Sequence, residues 1–350
     1  MTLAPALSAD PAPRAARLAI ALDEDGLVLP DGPICVYRPR AGESFAPLPG
    51  SRLHLVQGFF PDHVALGAAG HQVAVAPVRA ACALVCLPRS KAEGLALIAG
   101  AVSLGARMVL VDGQKTDGVE SVLRAVRARV APGGVVSKAH GKLFWFAPGE
   151  VSFNDWALQE ASVSDPDLGT FRTVPGLFSA DGVDPGSRLL AQSLPESLPA
   201  RVADLGAGWG YLSAACLARA GVERLHLVEA EAHALDLARR NITDARAVFH
   251  WADATDLALS DPVGGVVMNP PFHAGRKPQP ALGLAFIAAA ARMLSGRGQL
   301  WMVANRHLPY EGALAELFSN HAILAETGAF RVWHATGPRT RGKSVIRHGR

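Results

Sequence analysis

Along the second half of the chain, short β-branched runs alternate with longer stretches of helical character. "RVADLG" (201–206) reads as a strand, 211–220 as a helix, "RLHLVEA" (224–230) as a strand and 231–241 as a helix. Strands "RAVFHWAD" (246–253) and "GGVVMN" (264–269) follow, then an alanine-rich helix near 282–294 and the strand "GQLWMVAN" (298–305). Short apolar strands separated by helices predict a parallel sheet covered on both faces. The ending breaks the rhythm. "AILAETGAFRVWHA" (322–335) is two β-type runs about Thr327-Gly328, which predicts an antiparallel hairpin at the sheet edge.

The first half has a fainter version of the same pattern. "RLHLVQG" (52–58), "HQVAVAP" (71–77), "CALVCLP" (82–88), "RMVLVDG" (107–113) and "GGVVS" (133–137) read as strands, with helices over 61–69, 90–104 and 117–130. The expected organisation is a loose Ala/Pro-rich arm (1–16), a domain over 17–150, a linker over 151–174, a second domain over 175–337 and a basic tail (338–350). Direct repetition between the halves is not evident, so a duplication is an inference from architecture alone.

Composition adds limits more than content. A chain of 350 residues, 49% of them apolar, can build two cores. Its 34 Lys+Arg against 31 Asp+Glu give no bulk signal for nucleic acid. Residues 331–350, however, carry six Arg/Lys and no acid, a distribution suited to phosphate contact. Four cysteines do not make a disulfide framework at this length, and Cys82 and Cys86 read as buried strand residues rather than metal ligands. No metal is therefore expected. No apolar run is long enough to span a bilayer, and the first twenty residues lack a signal-peptide core, so the expected location is the cytoplasm.

Chemistry first shows in "VADLGAGWGYLSAAC" (202–216), which sets Asp204, Gly206, Gly208 and Gly210 between a strand and a helix. Glycines let the backbone turn tightly and approach a ligand closely. Glu229 ends the next strand, where an acid can accept both hydroxyls of a ribose. Asp253, after the third strand, is placed to meet an adenine edge. A dinucleotide site would offer amides to a pyrophosphate, which Asp204 would repel. An acid at that point suits a cationic amino-acid moiety instead, and favours S-adenosylmethionine over NAD. Trp209 inside the loop is bulkier than expected, as a wall of the methionine pocket would be.

The second signal is "GVVMNPPFHAG" (265–275). Pro270 and Pro271 end the strand at once and leave Asn269 at its carboxyl end, with Phe272 one rigid step further. The Asn269 oxygen and the Pro270 carbonyl can accept the two N–H groups of a planar amine, and Phe272 can stack on its ring. That geometry holds a weakly nucleophilic nitrogen ready for methyl transfer. His273 is not required as a base. Arg276 and Lys277, just beyond, are candidates for phosphate contact.

An acidic Gly-x-Gly-x-Gly loop followed by Asn-Pro-Pro-Phe resembles methyltransferases acting on exocyclic or amide nitrogens. Three further segments narrow this: "PGLFSADGVDPGSRLL" (175–190), "VANRHLPYEGALAELF" (303–318) and "ETGAFRVWHA" (326–335). With "NPPFHAG" they resemble the ribosomal RNA guanine-N2 methyltransferases, closest to the small-subunit (16S) enzymes, with the large-subunit (23S) enzymes as sister group. The likeness runs from about 175 to 335. It implies an α/β fold of two tandem Rossmann-like methyltransferase domains, the C-terminal one catalytic and the N-terminal one degenerate, serving as scaffold and RNA-docking domain. It also implies that Phe178 and Asp184 close over the cofactor and that the partner is ribosomal RNA or the small subunit; a monomer is the default expectation. The N-terminal half agrees with degeneracy: "VQGFFPDH" (56–63) stands where the glycine loop is expected and "CLPRSK" (86–91) where Asn-Pro-Pro-Phe is expected. Other acceptors for the same chemistry are 23S guanine, adenine N6 or a protein glutamine amide. A non-catalytic RNA-binding assembly factor is the reading of another class, and the intact Asp204, glycines, Glu229 and Asn269 argue against it.

Overall fold

Each half of the chain folds around its own mixed seven-stranded sheet. The computed structural model describes residues 12–271 and 280–339. Contacts divide the chain into two compact units, 1–161 with 174–178, and 162–173 with 179–350.

The first unit comprises α1 (Ala12–Asp23), β1 (Ile34–Tyr37), β2 (Leu53–Val56), α2 (Phe60–Ala68), β3 (Val73–Ala74), β4 (Cys82–Cys86), α3 (Lys91–Ser103), β5 (Met108–Gln114), α4 (Val119–Arg127), β6 (Gly134–Lys138) and β7 (Gly141–Phe146). Its strand order is β3-β2-β1-β4-β5-β7-β6, parallel except for β7 against both its neighbours. All of β4 is buried, as an interior strand with both faces covered must be. Ser90 caps α3 by accepting from the Glu93 N–H.

The second unit opens with the hairpin β8 (Ala161–Asp165) and β9 (Gly169–Thr173), then α5 (Pro185–Ser193), β10 (Arg201–Leu205), α6 (Tyr211–Leu217), β11 (Arg224–Glu229), α7 (Ala232–Asn241), β12 (Ala247–Trp251), β13 (Val263–Met268), α8 (Pro280–Met293), β14 (Leu294–Asn305), α9 (Glu311–Leu317), β15 (Phe318–Glu326) and β16 (Phe330–Pro338). The order β12-β11-β10-β13-β14-β16-β15 repeats that of the first unit, and β15–β16 is the antiparallel edge hairpin expected from the sequence. Packing of α8 and α9 on one face of this sheet buries Val266, Met268, Phe286, Ile287, Leu300 and Leu314 in one core.

Three expectations change. Helix α1 begins at Ala12, inside the segment read as a loose arm, and buries Arg17, Leu18 and Ala21. Strand β1, four residues between Pro33 and Arg38-Pro39, was not foreseen, yet it is central in its sheet. Its topological counterpart is β10. The degenerate counterpart of the glycine loop is therefore Arg38-Pro39-Arg40 after β1, and "VQGFFPDH" follows the counterpart of β11 instead. The segment 151–174, expected as a linker, carries a 3-10 turn (Asn154–Trp156) with Phe153 in the first core, then the β8–β9 hairpin. Its Asp and Gly residues make the hairpin turn, where the Asp165 carboxylate accepts the Asp167 and Leu168 N–H groups.

Candidate active site

Three strand ends line up. Val228, Leu205 and Met268 stand in register across β11, β10 and β13. Glu229, Gly206 and Asn269 each follow one residue beyond that line, within about 10 Å of each other at ordinary strand spacing. This is where the strand order turns outward in both directions from β10, the usual crevice of an open α/β sheet.

Gly206, Gly208 and Gly210 all have positive φ (+77°, +56° and +100°), a conformation that side chains resist. Among the described residues, none but its chain neighbours comes within 4 Å of where a Gly208 side chain would start, so the loop presents bare backbone there. The Gly208 N–H donates to Glu229 Oε2 (2.8 Å), and the Glu231 N–H donates to Oε1 (2.8 Å). The glycine loop and the expected ribose acid are thus held together, and each carboxylate oxygen keeps a further lone pair.

Asp204 is fully buried. Its Oδ2 accepts from Ser213 Oγ (2.6 Å), whereas Oδ1 has no partner, one of two such buried side-chain atoms among the described residues. Burial pushes its carboxyl up to about 7; the Ser213 hydroxyl works against that, and the charge of Glu229 adds to it. Burial also raises Glu229, against the pull of the Glu231, Gly208 and Ala230 backbone N–H groups. A buried acceptor without a donor and two acids held above their usual range describe a pocket that favours a cation. S-adenosylmethionine fits these residues: Asp204 and the glycine backbone for the amino-acid end, Glu229 for the ribose. Asp253 Oδ1 is taken by the Thr255 N–H (2.8 Å) and hydroxyl (2.6 Å), leaving Oδ2 for an adenine edge.

Asn269 ends β13, and its Nδ2 donates to Asp184 Oδ2 (3.0 Å) and Ser187 Oγ (2.9 Å), both from the start of α5. The structure therefore brings Asp184 to Asn269. Phe178 falls in the first unit and is 60% exposed. Pro270 is buried and Pro271 exposed. Phe272, His273, Arg276 and Lys277 lie outside the described residues, as do tail residues 340–350. Arg331 is engaged by Glu326 (3.2 Å).

Trp209 does not need the pocket to explain it. Its ring is buried between Phe171 of the hairpin (5.2 Å between centroids) and Tyr211 (5.9 Å). Tyr211 in turn donates to Asp165 Oδ2 (3.0 Å), and Asn241 Nδ2 donates to the Trp209 carbonyl (2.9 Å). These aromatics pin the β8–β9 hairpin to the glycine loop. Sequence reading missed Ser213 and Ser187. Ser187 was within reach, because Asp-Pro-Gly-Ser is a helix start with an N-cap and a proline at its first position. Among the described residues no group of three His, Cys, Asp or Glu side chains could hold a metal ion, and no helix is long and apolar enough to cross a membrane.

Known proteins resemble this chain in sequence and in fold. Residues 169–334 match the family described as "Methyltransferase small domain". The chain is 36% identical over 169 residues to the ribosomal RNA small subunit methyltransferase C of Cronobacter sakazakii, covering 47% of this chain and 49% of that one. It is 37% identical over 167 residues to the Citrobacter koseri protein of the same name, covering 47% and 48%. The chain thus spans about half the length of the curated relatives it matches. Its fold resembles the T. thermophilus 16S rRNA N2 G1207 methyltransferase in complex with AdoMet and guanosine, with a TM-score of 0.74, 24% identity and coverage of 89% of this chain and 90% of that one. The two-sheet α/β architecture, with a methyltransferase-type C-terminal unit, is accordingly the fold of this chain.

Proposed function

We propose that this chain is an S-adenosylmethionine-dependent methyltransferase acting on the exocyclic N2 amine of a guanine in 16S ribosomal RNA. The observation that carries the reading is the alignment of Glu229, the glycine loop and Asn269 on three adjacent strand ends. The names of the relatives and of the structural neighbour support the choice of acceptor.

When bound, S-adenosylmethionine supplies a methyl group activated by its sulfonium. The chain's own residues do the rest by placement. Asp204 and Glu229 hold opposite ends of the cofactor, and the glycine backbone fits closely between them. Asn269 Oδ1 and the Pro270 carbonyl accept the N–H bonds of a flipped base, which orients the nitrogen lone pair for in-line attack. Phe272 stacks on that base, and Arg276 and Lys277 contact the phosphates beside it. The nitrogen sheds a proton only after gaining the methyl, so no strong base is required of the chain. The first unit acts as scaffold and RNA-docking domain, and Arg38-Pro39-Arg40 in place of a glycine loop supports its lack of a cofactor site.

The test is methyl transfer from labelled S-adenosylmethionine to small ribosomal subunits, protein-free 16S RNA and protein-free 23S RNA, each digested to nucleosides. N2-methylguanosine from small subunits or 16S RNA is expected. Label in 23S RNA alone moves the chain to the sister group, and label in none of the three refutes the reading.

A further inference from the structure

An asparagine amide has two opposite chemical faces of nearly equal shape: its oxygen accepts, its NH₂ donates. Nothing in Asn-Pro-Pro decides which face meets the methyl acceptor. In this structure α5 decides it. The Nδ2 of Asn269 donates to Asp184 Oδ2 (3.0 Å) and to Ser187 Oγ (2.9 Å), so both amide hydrogens are used. Turning the amide over would set Oδ1 against the Asp184 carboxylate, two acceptors facing each other, and lose a charge-assisted bond.

The group that imposes this choice is itself fixed. Asp184 is the N-cap of α5, and the same Oδ2 accepts the Ser187 N–H (2.7 Å), with Pro185 following as the first helical residue. Ser187 is buried. Gly186 between them leaves room: a side chain there would start 3.0 Å from Asp184 Oδ2 and 2.9 Å from the Phe330 ring. Helix α5 therefore seats against β16 through Gly186, and its first turn brings two partners to one amide.

We propose that Asp184 and Ser187 are positioning residues that make Asn269 a one-sided acceptor, offering only Oδ1 to the substrate. This is a different role from the cofactor contact expected of Asp184. It makes the acceptor class a consequence of α5: a group entering beside Asn269 must bring an N–H, and one presenting a carbonyl meets an oxygen. The inference rests on the reading that Asn269 receives the acceptor amine, but the amide orientation can be measured without any turnover.

The full chain contains five asparagines, at 154, 241, 269, 305 and 320, so selective ¹⁵N-asparagine labelling gives five side-chain NH₂ signals. The Asn269 signal is identified by its loss in Asn269→Ala. Asp184→Ala is expected to shift that signal and speed its solvent exchange roughly tenfold or more, with the other four unmoved. An Asn269 signal that does not respond overturns the lock. In methyl transfer to small ribosomal subunits, Asp184→Ala and Ser187→Ala are each expected to lower kcat on the order of 10- to 100-fold, with S-adenosylmethionine affinity within about twofold of wild type. Asp184→Asn keeps both the helix cap and a carbonyl acceptor, and is expected to recover much of the loss. In an Asn269→Ala background, Asp184→Ala should cost little more. Weakened cofactor affinity with kcat unchanged would overturn the proposal and return Asp184 to the cofactor. If wild-type chain transfers no methyl to any RNA, the functional reading falls and the labelled amide alone decides the lock.

Discussion

The loop after β10 and the loop after β1 occupy the same place in two copies of one topology. Leu205 and Tyr37 end their strands in the same register, against Val228 and Met268 in one unit and Val56 and Val85 in the other. Gly206 and Arg38 come next. Both have positive φ, and each donates its N–H to the residue paired with the preceding strand end (Val228 and Val56 carbonyls, 2.9 Å each). Glu229 and Gln57 also correspond, each side chain accepting the N–H two residues on (2.8 Å each). From this common frame the chemistry diverges. Where Glu229 accepts from Gly208, Gln57 donates Nε2 to the Pro39 carbonyl (2.6 Å), a bond that a carboxylate cannot make. Val36 stands at the place of Asp204 and Cys86 at that of Asn269. The Arg38 guanidinium bonds Glu93 (2.7 Å) and Gln57 (3.3 Å), so a charged side chain stands where the other unit has bare backbone. The positive φ that opens the glycine loop at Gly206 is thus matched by a non-glycine residue, Arg38, so the same strand exit is kept with different side chains.

A second contrast lies in what fills each unit beside that loop. In the first unit Asp112, on β5, accepts from Arg17 (2.7 and 2.9 Å) and Arg14 (2.7 Å), and Arg14 also pairs with Glu43. Arg17 and Asp112 are almost wholly buried. The second unit instead leaves Asp204 Oδ1 unsatisfied. One unit has closed its polar groups on each other, and the other holds an acceptor in reserve for a ligand. The largest effect that sharpens this contrast is expected from Asp112→Ala, which strips the buried Arg17 guanidinium of its carboxylate and leaves Arg14 only Glu43. Breaking such a pair costs roughly 3–5 kcal/mol. Urea unfolding should register that loss, while calorimetry finds S-adenosylmethionine affinity unchanged; reduced affinity would mean the closed network serves the cofactor. Next is Asn269→Ala, expected to lower kcat about 100- to 1000-fold with cofactor affinity nearly unchanged. Near-normal turnover would remove Asn269 from the acceptor site.

The second unit was legible because its signals are local and redundant: three glycines between strand and helix, an acid one strand later, two prolines ending a third. The first unit carries no such marks, and nothing in its sequence fixes the register. Strand β1 is only four residues between Pro33 and Pro39, so no period can develop, and the strand after it reads as the first. The α1 helix was hidden by Ala and Pro that read as a loose arm, and its core contribution comes partly from Arg17, a residue type that sequence alone places outside. The role of Trp209 depends on Phe171, thirty-eight residues away in sequence, and no local pattern announces that contact. Asp184 was singled out, but its contact with Asn269 joins residues 85 apart and exists only once α5 is seated on β16.

A milder pair of substitutions compares the places of Glu229 and Gln57 directly. Glu229→Gln is expected to weaken S-adenosylmethionine roughly 10- to 100-fold, the worth of one or two hydrogen bonds to a charged group. Gln57→Glu, the reverse exchange in the first unit, is expected to leave the calorimetric stoichiometry at one cofactor per chain. A second binding event would mean that Arg38 does not close the first site.

The smallest effect is graded with pH and follows from Asp204. Burial raises its carboxyl to about 7, above the unfolded value near 3.9. A group whose folded pKa is raised gives its full contribution to stability below the unfolded pKa, and that contribution is lost as pH rises through the folded one. The ligand-free chain should therefore lose stability between about pH 4 and 7 on this account. A cationic ligand takes the opposite side of the linkage, because it needs the ionised carboxylate. S-adenosylmethionine affinity should tighten up to about tenfold per unit as pH approaches 7, and then level off. Glu229, also raised by burial, acts in the same direction. Asp204→Asn removes the main titrating group, so it should flatten both curves, stabilising the ligand-free chain at pH 7 while weakening the cofactor. Calorimetry at pH 5.5, 6.5 and 7.5 reads the slope. A wild-type affinity that is flat across that range, or a slope unchanged in Asp204→Asn, would mean that the unpartnered Oδ1 is not what the cofactor meets.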